Sequence, residues 1–331
     1  MTWSYIRRSG SFLLVSALAG CAGMGGLEAD VRAVATRPPA NVAVYVNVSA
    51  SDESRLTAEN FKLLEDGHEL DPSMTRQLLL DPAKVVHHQT LLLVDNSLAT
   101  HAGVRAELAN AIAAFAEEVT QTQSVSVHAY DGGSRLTPVA VFPRVNQPSA
   151  TALPLTSLEP RDVSRNLNGA ILLAGTELDR LLKSSGKPLG VGTLVVFAAG
   201  ADLAGRTDEG QVHEWLGSTR HRVLAIGYGE QADAVREFGK DGYYDAVGAD
   251  TVSLAFEEAG HAVARQSREG YLLSYCSPAR GGTRLLQLEV RSGGPDDQRS
   301  GSASVEFSAE GFRAGCDPRT LPKFETAPAG E

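Results

Sequence analysis

Apolar residues keep three different rhythms along this chain, and each rhythm predicts a different part of the molecule. Val42, Val44, Val46 and Val48 alternate with Ala43, Tyr45 and Asn47, a strand signature. Phe61, Leu63 and Leu64 suit a second short strand, closed by a turn at Glu65-Asp66-Gly67. The rhythm changes at residue 85. Thr90-Leu91-Leu92-Leu93-Val94 is a continuous apolar run, as expected of a central strand covered on both faces. Val104, Leu108, Ala111, Ile112, Phe115 and Val119 then recur at helical spacing. Residues 194–197 and 223–228 repeat the buried-strand pattern, and residues 124–130 and 139–142 suit two further strands. Ile171, Leu178, Leu181 and Leu182 mark a second helix, residues 212–216 a short one, and Val252, Phe256, Ala259 and Val263 a last one.

Strands alternating with helices predict an α/β fold with a doubly wound, mostly parallel sheet. After residue 270 the rhythm changes again. Residues 271–275, 285–290 and 304–307 read as antiparallel strands, with a turn at Gly281-Gly282. Neither flank can bury a face alone. The two are therefore expected to pack together as a small antiparallel β domain. This divides the chain into an α/β domain over 85–268 and β segments over 41–84 and 269–317. Residues 21–40 read as a tether, residues 143–160 as mostly loop, and the polar, Pro-rich 318–331 as a disordered tail.

The first twenty residues read as targeting rather than as fold. Arg7 and Arg8 precede a short apolar run from Phe12 to Ala19, well under the roughly 20 residues that span a bilayer. Leu18-Ala19-Gly20-Cys21 resembles the lipobox of bacterial lipoproteins. That resemblance implies cleavage before Cys21 and acylation of its thiol by palmitate-like chains. Two or three such chains anchor a protein firmly, at about 0.8 kcal/mol per buried CH₂. The expected location is the cell envelope. Ala22, where Asp often marks inner-membrane retention, favours the outer membrane.

Charge and cysteines narrow the picture further. The formal net charge is −10, and removing residues 1–20 takes away two Arg and no acid, leaving −12. No basic cluster appears, which argues against a nucleic-acid partner. With Cys21 acylated, Cys276 and Cys316 form an even pair in an oxidising compartment, and a disulfide is expected. No His or further Cys lies near either one, which argues against a metal site there.

The candidate chemistry begins at Asp95-Asn96-Ser97, where the first buried strand ends and a helix follows. With the strand-helix alternation, this resembles the von Willebrand factor type A (vWA) domain over residues 85–268. Leu56-Thr57-Ala58-Glu59-Asn60-Phe61 and Gly270-Tyr271-Leu272-Leu273-Ser274-Tyr275 resemble the strands that flank such domains in a bacterial group. The resemblance implies a Mg²⁺ or Mn²⁺ site built from Asp-x-Ser-x-Ser, a Thr on a second loop and an Asp on a third. Oxygen ligands of this kind suit a hard cation.

This sequence departs from that pattern at three of the five positions. Asp95 and Ser97 are present, but Ala99 stands at the second Ser, Arg165 at the Thr, and Ala199 at the Asp. Asp202 follows three residues after Ala199. No metal or other cofactor is therefore expected. Asp95 either caps the following turn or pairs with Arg165. Alternatively, Arg165 replaces the ion as a fixed positive charge that takes a partner's carboxylate. Asp95, Ser97, Arg165 and Asp202 are the candidate binding residues. The expected function is a membrane-anchored binding or scaffold protein with an unidentified protein partner. A metal-dependent adhesion protein and an envelope-polymer hydrolase remain as alternatives. Gly-x-Ser-x-Gly, His-Glu-x-x-His and Walker patterns are absent. His87-His88 and His213-Glu214 read as solvated surface.

Overall fold

The computed structural model describes residues 26–49, 55–97, 102–145, 158–293 and 299–324, with the side chains of 102–104 left out. Strand β1 (Glu28–Arg37) pairs antiparallel with β2 (Asn41–Ser49). This corrects the reading of 21–40 as a tether, because half of that span, residues 28–37, is strand. The physical reason is a register shift between Val31 and Ala33, which breaks the alternation that would have revealed β1. Cys21 and residues 1–20 lie outside the described residues.

Strands β3 (Phe61–Glu65) and β4 (His68–Glu69) form a hairpin. Its turn has φ of 49° at Asp66 and 79° at Gly67, a conformation for which Asp-Gly is the favoured pair. The short helix α1 (Pro72–Thr75) is capped by the Asp71 carboxylate, and strand β5 (Leu78–Leu80) follows.

The α/β domain then runs through β6 (Val86–Asp95), α2 (Ala102–Val119), β7 (Ser124–Tyr130) and β8 (Thr137–Phe142). It continues through α3 (Leu167–Ser184), β9 (Leu189–Ala198), α4 (Glu209–Ser218) and β10 (Arg222–Tyr228). It ends with β11 (Tyr243–Ala246) and α5 (Ala249–Arg268). The six strands lie in the order β11-β10-β9-β6-β7-β8 and are parallel except at β7–β8. Leu91, Leu92, Leu93 and Val94 are fully buried because helices cover both faces of β6. Leu92 and Val94 pack against Phe115 of α2 and Phe256 of α5. Leu91 and Leu93 pack against Ile171 and Leu178 of α3. Each such side chain contributes about 1.5–3 kcal/mol by leaving water.

Strands β12 (Gly270–Cys276), β13 (Thr283–Ser292) and β14 (Arg299–Ser308) complete the fold. Two four-stranded sheets result, β1-β2-β12-β5 and β14-β13-β3-β4, each drawing strands from both flanks. The expected α/β domain with a small antiparallel unit is thus the observed architecture. The alternation over β2 has a double purpose. Its valines face the core between the two β sheets, with Phe61, Leu63, Leu273 and Tyr275. Ala43 and Tyr45 face the α/β domain, with Val85, Val86 and Leu272.

Cys276 and Cys316 form the expected disulfide. Glu65 is buried, where it accepts hydrogen bonds from the hydroxyls of Tyr275 (2.9 Å) and Ser277 (3.1 Å), the two neighbours of Cys276 in the chain. The reading of 318–331 as a disordered tail is corrected over 318–324. Phe324 is buried in the seam between the β unit and the α/β domain, beside Tyr45 and Leu272. Residues 325–331 lie outside the described residues.

Candidate functional site

Strand β6 delivers Asp95 to the carboxyl edge of the sheet. Its neighbours β7 and β9 follow β6 in the chain but lie on opposite sides of it. This is a topological switch point, where the loops after adjacent strands part and leave a crevice. Asp95 sits there at 1% exposure, and both of its oxygens are taken. Oδ1 accepts from the Ser97 amide (2.9 Å) and the Ser97 hydroxyl (2.5 Å). Oδ2 accepts from Arg165 Nε (2.6 Å) and from the Ala199 amide (3.2 Å).

Arg165 is 8% exposed and reaches Asp95 from the loop before α3. Its Nη1 donates to the Ala201 carbonyl at 3.1 Å. Its own carbonyl accepts from the Leu203 and Ala204 amides, at 2.8 and 2.9 Å. One residue therefore fastens the second loop to both the first and the third. Gly200 permits the close packing: its φ is +131°, and a Cβ there would lie 2.7 Å from Gln231 Oε1 and 3.2 Å from Arg165 Nη1. Tyr130, at the end of β7, is buried beside this pair. Burial first, then the Asp95 charge, raises its hydroxyl pKa well above the usual tyrosine value.

Asp202 does not join the pair. Its Oδ2 accepts from the Asn168 amide in the first turn of α3 (3.0 Å), and its Oδ1 accepts from the Gly205 amide (2.7 Å). It caps backbone on both sides. Ala99 lies outside the described residues. His213 is exposed on α4, with Nε2 3.4 Å from Glu209 and 3.5 Å from Glu237.

Three further residues organise the second loop and escape a reading of the sequence. Asp131 accepts from the Gly133 amide (2.7 Å) and the Arg161 amide (2.8 Å). Asp162 accepts from the Ser164 amide and hydroxyl, at 2.9 and 2.7 Å, repeating the Asp95–Ser97 turn. These bonds, then that of Arg206, hold the Asp162 carboxyl below its usual pKa. Arg206 also donates to the Gly132 carbonyl at 2.6 Å. The repeated Asp-x-Ser at 162–164 is the signal that points to this turn.

The rim of the edge carries several exposed apolar side chains. Val163 (75% exposed), Leu203 (67%) and Val247 (71%) stand on the loops beyond β8, β9 and β11, and Leu254 (55%) on the second turn of α5. Among the described residues only Met74 rivals the first three among large apolar side chains.

No family model and no curated protein matches the chain. Solved structures do. A von Willebrand factor type A protein from Catenulispora acidiphila is 10% identical, with 85% of this chain and 72% of that one covered, at a TM-score of 0.44. The ArnB paralog VWA2 from Sulfolobus acidocaldarius is 11% identical, with 87% and 75% covered, at 0.38. The pilus adhesin SpaC from Lactobacillus rhamnosus GG, in its open conformation, is 11% identical, with 90% and 55% covered, at 0.40. The six-stranded, mostly parallel sheet of residues 85–268 and its flanking helices are consistent with a vWA-type fold.

Proposed function

We propose that this chain is a membrane-anchored, extracytoplasmic protein-binding module whose vWA-like domain works without a metal ion. The observation that carries this reading is the Arg165 guanidinium, 2.6 Å from Asp95. In the vWA pattern the corresponding aspartate serves a divalent cation. Mg²⁺ requires near-ideal octahedral oxygen ligands at about 2.0–2.1 Å. Here four donors already fill the Asp95 carboxylate, and one belongs to a cation. Ala199 offers an amide proton where an oxygen ligand is needed. The residues present do not fit the ion.

Arg165 acts as a positioning residue. Its Nε and Nη1 are bonded inside the protein, so it organises the loops rather than meeting a partner's carboxylate. Contact with the partner falls to the rim, where Val163, Leu203 and Val247 supply apolar surface. The anchor is supported by Arg7, Arg8 and the Leu18-Ala19-Gly20-Cys21 motif.

Titration calorimetry with Mg²⁺ and Mn²⁺ tests the metal-free state. The natural protein is expected to give no heat, and a variant carrying Arg165→Thr, Ala199→Asp and Ala99→Ser to gain some. Saturable heat from the natural protein overturns the reading. Crosslinking in membranes tests the role. The crosslinked partner is expected to persist in EDTA and to be lost with Leu203→Asp. Labelled palmitate incorporation that survives Cys21→Ser rules out the anchor.

A further inference from the structure

The other end of the same sheet carries a second feature. Between the amino edge of the α/β domain and the β unit lies a cleft of about 1200 Å³. That exceeds the roughly 300–1,000 Å³ usual for small-molecule sites. Its floor is fixed across both halves of the molecule: the Tyr45 hydroxyl on β2 lies 2.9 Å from His88 Nε2 on β6. The Val48 amide on β2 also donates to the Glu269 carbonyl just beyond α5 (3.0 Å).

The charge of this cleft runs against that of the chain. The whole sequence carries −10, yet Arg55, Arg144, Lys187, Arg265 and Arg268 line the cleft against three carboxylates. One of those carboxylates is paired with a cation and the other two accept hydrogen bonds within the protein. Asp81 accepts from the Ala83 amide, Glu118 pairs with Arg268 at 3.0 Å, and Glu269 accepts from Ser49. Lys187 donates to the Ala83 and Lys84 carbonyls. The guanidinium groups of Arg55, Arg144 and Arg265 make no hydrogen bond or salt bridge to a described residue. Three cations thus open onto one preformed space.

We infer that this cleft binds an acidic peptide segment of a partner protein, at a site separate from the carboxyl edge. Guanidinium forks suit carboxylates, and an extended peptide advances about 3.3–3.6 Å per residue, so its carboxylates can meet cations spaced apart. A peptide carries its carboxylates on flexible side chains that can turn toward the cations and away from Asp81, Glu118 and Glu269, whereas a polyphosphate carries its charge on the backbone and would meet those carboxylates as repulsion. Thr122, Ser124 and Ser267 add side-chain hydroxyls that suit peptide amides.

The test is fluorescence anisotropy of a labelled oligoglutamate peptide with the full chain. Oligoglutamate is expected to bind at low salt and weaken as salt rises, because surface charges are screened; oligoglutamine is expected not to bind. Arg144→Glu with Arg265→Glu is expected to cost tenfold or more in affinity, on the order of a close charge-pair coupling. Arg313→Glu with Arg319→Glu makes the same change in net charge outside the cleft and is expected to leave binding intact. All four side chains are exposed; should the cleft variant melt early, Arg144→Gln with Arg265→Gln replaces it. The inference fails if oligoglutamate does not bind, if both double variants weaken it equally, or if tripolyphosphate displaces it at matched charge. None of these results bears on the carboxyl-edge reading, which rests on other residues.

Discussion

The two edges of the six-stranded sheet treat arginine in opposite ways. At the carboxyl edge, Arg165 is spent inside the protein. It neutralises a buried carboxylate, ties three loops together and leaves a rim with several exposed apolar side chains as the outward surface. At the amino edge, Arg55, Arg144 and Arg265 are left open in a cleft between two folded units. A cation buried in a pair sets the shape of a surface, while a cation left at a surface sets what that surface attracts. The sign of a region is therefore legible only after its internal pairs are subtracted.

The comparison breaks most sharply at Arg165. Arg165→Ala leaves Asp95, whose side chain has no exposure, as an unpaired buried charge. The expected loss is about 3–5 kcal/mol. Asp95→Leu with Arg165→Met is expected to recover most of it, since an apolar pair removes the stranded charge. Thermal melts of the three proteins check this. A single variant as stable as the natural protein means that the pair is not what holds the loops.

The next effect separates the edges physically. The Cys276–Cys316 disulfide spans 40 residues of the β unit that walls the amino-edge cleft. Chain entropy gives it about 4 kcal/mol, and removing such a bridge costs about 2–5 kcal/mol. Cys276→Ser with Cys316→Ser is expected to speed hydrogen exchange in β12 and β13 while β6 and β9 stay protected. Uniform loss of protection would mean that the two units unfold as one.

The cleft floor gives a pH signature that the carboxyl edge lacks. Burial first, then His87 and Arg144, lowers the His88 pKa from 6.5 to about 4. Folding therefore favours the neutral imidazole. Its contribution is present in full above pH 6.5 and is lost as pH falls through 4. Melting temperature is expected to drop over that window, and His88→Gln is expected to shrink the drop by a few degrees. An unchanged drop would assign it to other groups. The smallest effect belongs to the cleft's surface ion pair. Arg268→Ala removes the 3.0 Å contact to Glu118 and is expected to cost about 0–1 kcal/mol in melts.

Much of the fold was legible in the sequence for one reason: burial on both faces leaves uninterrupted apolar runs. Leu91 to Val94 shows this directly. β1 was not legible, because its register shift cancels the period of two. Phe324 was hidden because one aromatic in a Pro-rich tail carries no rhythm. At the candidate site, Asp95 and Arg165 drew attention through their positions in a resembling pattern, although 70 residues separate them. Asp202 misled, since its capping role depends on how the third loop meets the first turn of α3. The amino-edge cleft was invisible because its cations are scattered singly along the chain and only the packing of two units gathers them.

The path of the backbone between those units has a mechanical consequence. The chain leaves the β unit after β5 and returns to it at β12, and these strands are paired, with Leu80 opposite Leu272. A domain joined by one strand can swivel freely about it. Two crossings side by side remove that freedom and leave bending as the compliant motion. Phe324 and Tyr45, wedged in the seam, stiffen even that. A pull on the carboxyl edge would therefore reach the β unit as torque and tension together, and the molecule would behave as a lever rather than as a bead on a string.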